Sequence, residues 1–249
     1  MSVRVVASRD LTPAEVPGHS FRIIADGDAT GGAYSLTEAS SPVGAMVPPH
    51  AHDDAVECFY VMSGTYRMTV SGRVHEAEPG GFVLVPRGSP HNFEVVGTEP
   101  ARAAVLFAPA GFESVFRSMP EIFGTPGEPG PLWTAINARH GTRLVEPGDD
   151  IGRPVVVAST GSSGPLVGPG ETETAVSVGL WLDPTYGRPW TIEPGTAVWI
   201  MEGRYRFDVP DCSYALRAGE FIELTEGAQA RALASGSRAL YIRTGVAPT

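Results

Sequence analysis

The sequence has few of the features that mark secreted, membrane-bound or disulfide-stabilised proteins. Its 249 residues include two cysteines, Cys58 and Cys212, which lie in separate halves and form no metal-spaced pair. A disulfide framework or a thiolate metal site therefore has little support. No stretch of 18 apolar residues occurs, and the first ten residues lack the apolar run of a signal peptide. We expect a cytoplasmic protein with no membrane partner.

Positive charge is also scarce. Eighteen Lys and Arg residues stand against 28 Asp and Glu residues, which gives a net charge of −10. This balance argues against a nucleic acid or an anionic membrane surface as partner. The sequence contains no Gly-rich phosphate loop, dinucleotide fingerprint or nucleophile elbow. Small-molecule substrates remain the expected ligands, and a homodimer is compatible with the composition.

Glycine and proline are abundant, and they predict the fold class. Thirty Gly, 23 Pro and only 18% charged residues favour short strands joined by tight turns, and 42% hydrophobic residues can fill an ordinary core. We predict an all-β protein with a few short helices. The predicted helices are 109–119, with a stripe formed by Phe112, Val115, Phe116 and Met119 that is most simply core packing, and 132–139.

Four residues form the strongest candidate site: His50, His52, Glu57 and His91. His50 and His52 are two apart on a predicted strand, so their side chains share a face. Glu57 follows His52 by five positions, which is an odd number, so it joins them only if the chain bends near Asp53 and Asp54. Three of the six histidines fall in this set. A lone buried histidine is usually a core residue, but this combination predicts a metal site.

The second half repeats the first at an offset of 139 residues. Gly64 corresponds to Gly203 and Gly80 to Gly219, and the segments 61–70 and 200–209 align without a gap. By this offset the four candidate ligands become Pro189, Thr191, Thr196 and Ala230. We predict two domains, 1–145 with the metal site and 146–249 without metal ligands.

These patterns resemble the two motifs of the cupin superfamily. The first motif is matched by Gly44, His50, His52, Glu57 and Gly64, and the second by Gly80, Pro86, Gly88 and His91, with Val95 where an Asn often stands. The resemblance implies a bicupin, two tandem jelly-roll β-sandwich domains, similar to quercetin 2,3-dioxygenase-like and gentisate-type enzymes. It also implies that Glu57 acts both as a ligand and as a catalytic proton acceptor.

The resemblance and the ligand set leave several reactions open. They imply one divalent transition metal per chain, with Fe(II) as first choice and Ni, Mn, Cu, Zn or Co as alternatives. A dioxygenase acting on a small aromatic, enol or polyketide-like substrate is the first hypothesis. A non-redox cyclase, isomerase or lyase in natural-product biosynthesis is the second, and a ligand-binding cupin is the third. Residues that could line the substrate site, or belong to the barrel core, are Phe59, Tyr60, Met62, Tyr66, Met68, Phe82, Phe93 and Phe107.

Overall fold

The computed structural model describes residues 3–16, 18–124, 130–145, 156–159, 163–182 and 186–245. The chain divides into two compact units. The N-terminal unit is Thr12–Ser159, and the C-terminal unit combines Met1–Leu11 with Thr160–Thr249. Each unit consists mainly of antiparallel strands.

The elements of the first part of the chain are, in order, β1 (Val3–Ala7), a 3₁₀ turn (Ser8–Asp10), β2 (Ala14–Val16), β3 (His19–Ala25), α1 (Gly27–Thr30), β4 (Ser35–Ser41), β5 (Met46–His52), β6 (Val56–Ser63), β7 (Thr65–Val70), β8 (Arg73–Ala77), β9 (Gly81–Val85), β10 (His91–Val96), β11 (Ala101–Ala108), α2 (Glu113–Gly124), α3 (Gly130–Arg139), β12 (Thr142–Leu144) and β13 (Val156–Ser159). The remaining elements are β14 (Gly164–Val167), α4 (Pro169–Thr172), β15 (Val176–Leu182), β16 (Trp190–Ile192), β17 (Thr196–Glu202), β18 (Arg204–Val209), β19 (Cys212–Arg217), β20 (Glu220–Leu224), β21 (Ala228–Ala232) and β22 (Arg238–Thr244).

The N-terminal unit contains two sheets. One has the order β13-β9-β6-β11-β4-β3-β2, and the other has the order β12-β5-β10-β7-β8. Alternating apolar residues of both sheets form one core, to which β7 contributes Tyr66, Met68 and Val70 and β11 contributes Ala103, Val105 and Phe107. Val115, Phe116 and Met119 of α2 belong to the same core.

The C-terminal unit repeats this plan with sheets of order β1-β20-β17-β22-β15-β14 and β16-β21-β18-β19. The strand β1 from the start of the chain pairs with β20, Val3 lying opposite Leu224. In the N-terminal unit, the late strand β13 pairs in turn with β9. Each unit therefore completes a sheet with a strand that is distant in sequence.

Gly64 and Gly203 occupy the same hairpin turn in the two units. Gly64 has φ +69°, and a Cβ there would lie 2.6 Å from Ala101 Cα. Gly203 has φ +74°, and its Cβ would lie 2.8 Å from Ser237 Cα. Both positions combine a left-handed backbone with a close backbone approach, so only glycine fits. This shared constraint explains why the repeat keeps glycine at both sites.

The prediction of an all-β chain with two tandem sandwiches and short helices is confirmed. The helix predicted at 109–119 begins later, at Glu113, whose carboxylate accepts hydrogen bonds from the backbone N–H groups of Gly111 and Gly27. The helix predicted at 132–139 corresponds to α3. The predicted domain bounds 1–145 and 146–249 stay a prediction, because 146–155 lie outside the described residues.

Candidate metal centre

The four predicted ligands converge from three strands on both sheets of the N-terminal unit. His50 and His52 lie on β5, and His91 lies opposite His50 on the neighbouring strand β10. Glu57 lies on β6, in the facing sheet. The chain leaves β5 at His52 and enters β6 at Val56, so the bend expected around residues 53 and 54 is present. The change of sheet resolves the odd spacing between His52 and Glu57.

The turn before His91 is tied to the same strand as the first two histidines. Gly88, at φ +72°, donates its backbone N–H to the His52 carbonyl at 2.7 Å. A left-handed residue at this point suits glycine. This hydrogen bond therefore fixes the position of the turn along β5, and with it the position of His91 in the interior.

One potential ligand atom from each of the four residues lies within 4.8 Å of the other three. All four side chains are buried, with relative exposures between 2% and 9%. Glu57 Oε2 lies 2.9 Å from His91 Nε2 and 3.3 Å from His52 Nε2. Ligands at right angles around a first-row metal with bonds of about 2.0–2.2 Å lie roughly 3 Å apart. The observed separations match that arrangement.

Each of the three histidines makes a polar contact through Nδ1, the ring nitrogen that points away from the centre of the four-residue group. His50 Nδ1 contacts the Pro48 carbonyl at 2.9 Å, and His91 Nδ1 contacts the Ser89 carbonyl at 2.9 Å. A carbonyl only accepts, so Nδ1 carries the proton in both rings. The Nε2 lone pairs of these rings then face the centre. Fixing the tautomer through the outer nitrogen is how proteins prepare histidine for a metal.

His52 is oriented by a residue that the sequence did not indicate. Its Nδ1 lies 2.7 Å from the Thr142 hydroxyl, and that hydroxyl in turn donates to the His140 carbonyl at 3.5 Å. Thr142 is on β12, directly opposite His52 on β5. Gly141 permits this approach, because its φ is +63° and a Cβ would lie 2.2 Å from Asp54 Oδ2.

The charge state of the group favours metal binding. Burial, with the neighbouring histidines adding to it, lowers the pKa of His50 well below 6.5, and burial also lowers the pKa of His52, partly offset by Glu57. Burial by itself raises the pKa of Glu57, but contacts with His52 and His91 outweigh it and hold this pKa well below its usual range. Neutral imidazoles and an ionised carboxylate are the forms that bind a metal.

The residues fit a divalent cation. His52 Nε2 is buried without an aligned hydrogen-bond partner among the described residues, although Glu57 Oε2 lies near it. A neutral His91 has one N–H, committed to Ser89, so its Nε2 lone pair faces the carboxylate oxygen at 2.9 Å unless a cation lies between them. This group can hold one divalent metal.

Cys58 does not take part. It follows Glu57 on β6 and points to the opposite face of the strand. Burial, together with the Glu57 charge, raises the pKa of its thiol above the usual range. A buried protonated thiol is inert as a ligand.

A cavity of about 310 Å³ opens onto the metal-binding group. His50, Glu57 and Thr142 line it at that end. Its walls are largely aromatic, formed by Phe21, Phe59, Phe93, Phe112 and Phe116. Met46, Leu144 and Phe123 also line it and are 64%, 52% and 40% exposed, so they mark its mouth. The volume suits a small organic molecule.

Some of the residues predicted to line the substrate site do line the cavity. Phe59, Tyr66 and Phe93 line the cavity, whereas the other five candidates do not. The stripe of α2 interpreted as core packing also reaches the cavity, through Phe112, Phe116 and Met119. Phe112 makes an edge contact with the His52 ring, with centroids 4.6 Å apart. Helix α2 therefore covers the site as well as the core.

Comparison with known proteins agrees with this geometry. Residues 38–107 match the family model of the cupin domain. Quercetin 2,3-dioxygenase of Bacillus subtilis is 29% identical over 98 residues, which cover 39% of this chain and 29% of that protein. The chain thus matches less than a third of that relative's length.

Solved structures extend the similarity to nearly the whole chain. Protein Ylba from E. coli has a TM-score of 0.68 at 11% identity, covering 97% of this chain and 90% of its own. Bacillus subtilis oxalate decarboxylase, with Mn(II) centres, has a TM-score of 0.60 at 13% identity, covering 97% and 77%. Residues 38–107 thus form a cupin domain, and the chain as a whole has a tandem-cupin fold. At these identities the structural matches establish the fold alone.

The C-terminal cupin carries other residues at the ligand positions. Ala230 pairs with Trp190, as His91 pairs with His50. Trp190 and Ile192 therefore occupy the positions of His50 and His52. The offset of 139 is wrong by one residue here, because the turn before β17 is one residue shorter than the turn before β6. Neither side chain offers a useful ligand atom. That this unit binds no metal remains a prediction.

No helix in the described ranges is long and apolar enough to cross a membrane.

Proposed function

We propose that this bicupin is a metal-dependent dioxygenase that acts on a small aromatic, enol or polyketide-like substrate. The observation that carries the proposal is the three-His, one-Glu group at the inner end of an aromatic cavity. The similarity to quercetin 2,3-dioxygenase supports it. Fe(II) is our first choice, with Mn, Ni, Cu, Co or Zn as alternatives. We also propose that each chain binds one metal, that the protein is cytoplasmic and that it can form a homodimer.

His50, His52, Glu57 and His91 would hold the metal, which supplies redox chemistry with O₂ and a positive charge for a substrate oxygen. Four protein ligands leave about two positions of an octahedral ion for small molecules. Closed structural zinc sites instead favour Cys-rich tetrahedra. The ligand set therefore supports a catalytic role.

Glu57 is the proton acceptor in this proposal. Its low pKa keeps it a carboxylate at neutral pH, and it is 5% exposed, so solvent does not compete strongly for it. An enol or catechol-like hydroxyl entering from the cavity would meet this carboxylate. Transfer of that proton to Glu57 would leave the substrate oxygen anionic.

The cavity walls supply orientation and exclude water. The Phe112 and Phe116 rings line the cavity and pack edge to face with centroids 5.2 Å apart, and Phe107 supports both rings without lining the cavity. Phe112 also contacts His52, so the aromatic wall continues to the ligands. A flat apolar substrate would be held against these faces with its oxygen atoms towards the metal group.

The test is anaerobic reconstitution with each first-row divalent ion, followed by oxygen-consumption assays with catechols, flavonols and β-diketones. We expect uptake of O₂ with the Fe(II) form and none with the Zn²⁺ form, because Zn²⁺ has no accessible redox chemistry. His52→Ala should abolish metal binding and activity. His75→Ala, on β8 and outside the metal group, is the matched control and should retain both.

Two results would contradict the proposal. Full turnover by the Zn²⁺ form, or unchanged product formation without oxygen, would leave a non-redox cyclase, isomerase or lyase. Absence of metal binding after reconstitution with every ion would leave a ligand-binding cupin.

A further inference from the structure

Three large apolar side chains are exposed around the mouth of the cavity. Met46, Phe123 and Leu144 line it and are 64%, 40% and 52% exposed, and we call them the apolar rim. They come from three elements, β5, α2 and β12. Seven large hydrophobic side chains are exposed in the described parts of the chain, and three of the seven surround this opening. Clustered exposure of this kind marks a binding surface, whereas scattered apolar residues need no explanation.

The apolar rim begins beside the metal-binding group. Leu144 on β12 lies directly opposite His50 on β5, and both residues line the cavity. Directly opposite residues of an antiparallel pair have Cβ atoms about 4.5–5.5 Å apart. An alkyl chain attached to a molecule that is held by the metal ligands can therefore pass Leu144 on its way to the mouth.

Strand β5 continues the apolar lining from His50 to the mouth. Residues 46–48 of this strand all line the cavity. In a regular strand neighbouring side chains would face opposite sides. Here β5 has one extra residue, because His50 lies opposite His91 while Val47 lies opposite Phe93. This bulge accounts for the successive apolar side chains that border the cavity.

Helix α2 provides a second apolar wall between the metal-binding group and the apolar rim. Phe112, immediately before the helix, meets the His52 ring with centroids 4.6 Å apart. Phe116, Met119 and Phe123 follow at helical spacing, and all of these residues of the α2 wall line the cavity. Residues three and four apart share one face of a helix. The apolar face therefore extends from a metal ligand to the mouth.

The mouth offers no charged group to a ligand. No Lys, Arg or Asp is among the described residues that line the cavity, and its one carboxylate, Glu57, belongs to the metal-binding group. His19 lines the cavity beside Met46, but its Nε2 lies 3.4 Å from the Met46 carbonyl oxygen and its Nδ1 lies 2.8 Å from the Ser41 hydroxyl. Burial lowers the pKa of His19, partly offset by the Met46 carbonyl, so the ring is neutral near pH 7. An ionic group on a ligand would lose water here without meeting a counterion.

The apolar rim is too small to be a stable interface between two copies of the chain. Such an interface buries about 800 Å² on each partner. Even a fully exposed side chain of this size supplies at most about 250 Å², and the three side chains of the apolar rim are only partly exposed. They also surround an opening that leads to the metal-binding group, which favours a ligand as the occupant.

We propose that the substrate carries an uncharged alkyl tail, which leaves the metal-binding group past Leu144 and covers the apolar rim. This inference rests on the proposed function for the head group that binds at the metal. The tail contributes to affinity because apolar area on both the tail and the rim is removed from water. The substrate class is then an enol or catechol-like head group with an alkyl tail.

The test measures binding to the Zn²⁺-loaded protein by isothermal titration calorimetry without oxygen. The probes are 4-methylcatechol with 4-hexylcatechol and 2,4-hexanedione with 2,4-undecanedione, so that each pair differs by about five methylene groups. We expect about threefold tighter binding for each methylene, or roughly 200-fold within each pair. The probe 6-(3,4-dihydroxyphenyl)hexanoate has the same tail length ending in a carboxylate and should bind more weakly than 4-hexylcatechol.

Variants of the apolar rim locate the gain in affinity. Met46→Ser and Leu144→Ser should each reduce the gain from the long tail about fivefold and leave the affinity for 4-methylcatechol within about twofold. Both side chains are exposed, so neither change empties the core. Val74→Ser is the matched control, because Val74 on β8 is 62% exposed and does not line the cavity. This control should keep the full gain.

The outcomes separate this inference from the proposed function. No gain from tail length in either pair, no binding of any probe, tighter binding of the hexanoate, or a full gain in both rim variants would overturn the inference. A dimer in sedimentation that Met46→Ser dissociates would also overturn it, because a second copy would then cover the rim. Oxygen consumption with substrates that lack a tail would still leave the dioxygenase standing. Conversely, a gain that the rim variants lose, without oxygen uptake by any metal form, would support the tail and refute the dioxygenase.

Discussion

Thr142→Val should weaken metal binding without removing a metal ligand. The substitution preserves shape and deletes the hydroxyl that lies 2.7 Å from His52 Nδ1. Thr142 is 4% exposed, so water cannot readily replace the hydroxyl. In the variant the His52 proton would move to Nε2, where Glu57 Oε2 lies 3.3 Å away. Metal binding must then displace a proton from the atom that has to act as ligand.

The size of the expected decrease in metal affinity follows from losing the contact that orients His52. Leaving a buried N–H unsatisfied costs about 1–3 kcal/mol, and loss of an outer partner of a ligating histidine typically lowers metal affinity about 10–100-fold. We expect a decrease of about 10–50-fold in the Zn²⁺ association constant, which corresponds to about 1.4–2.3 kcal/mol. Competition with a chromophoric chelator at fixed pH measures it directly.

Two further variants make this experiment decisive. Thr142→Ser retains the hydroxyl and should recover most of the affinity. Thr196→Val removes a buried hydroxyl from the C-terminal unit, where it donates to the Glu193 carbonyl, and should leave the affinity unchanged. If Thr142→Val binds Zn²⁺ within twofold of the wild type, the claim that Thr142 orients His52 is wrong.

Three other predictions concern reactivity, pH and metal removal. Iodoacetamide should alkylate the exposed Cys212 in the native protein but not Cys58, whose buried thiol has a raised pKa, and mass spectrometry after trypsin digestion distinguishes them. Because burial lowers the pKa of His50 and His52, metal-free protein should have a nearly constant Tm between about pH 7 and 8 and a falling Tm below about pH 6.5, as unfolding lets both rings take up protons. His50→Gln should reduce the fall, and an equal fall in both proteins would contradict the assignment. Removing the metal with EDTA should lower Tm by several degrees and leave the far-UV circular dichroism unchanged, since two apolar cores hold the fold; cooperative unfolding on chelation would indicate a structural metal instead.

Local spacing was enough to predict which four residues come together in the N-terminal unit. His50 and His52 are two residues apart on one strand, and the hairpin around Gly64 and the turn at Gly88 have local causes in glycine geometry. The offset of 139 residues carried this reading to the second unit, because homologous turns keep the same glycines. The offset failed by one residue at Trp190, where a turn changes length.

Only the tertiary structure placed the residues that surround the ligands. Thr142 meets His52 across 90 residues of chain, and Phe112 of α2 contacts the ring of the same histidine. The apolar stripe of α2 has the same helical spacing whether it packs into the core or forms a cavity wall, so the sequence could not distinguish the two. The pairing of β1 with β20 and of β13 with β9 also joins segments that are distant in sequence. Periodicity records which face of an element is apolar, whereas the partner of that face is decided when distant segments pack together.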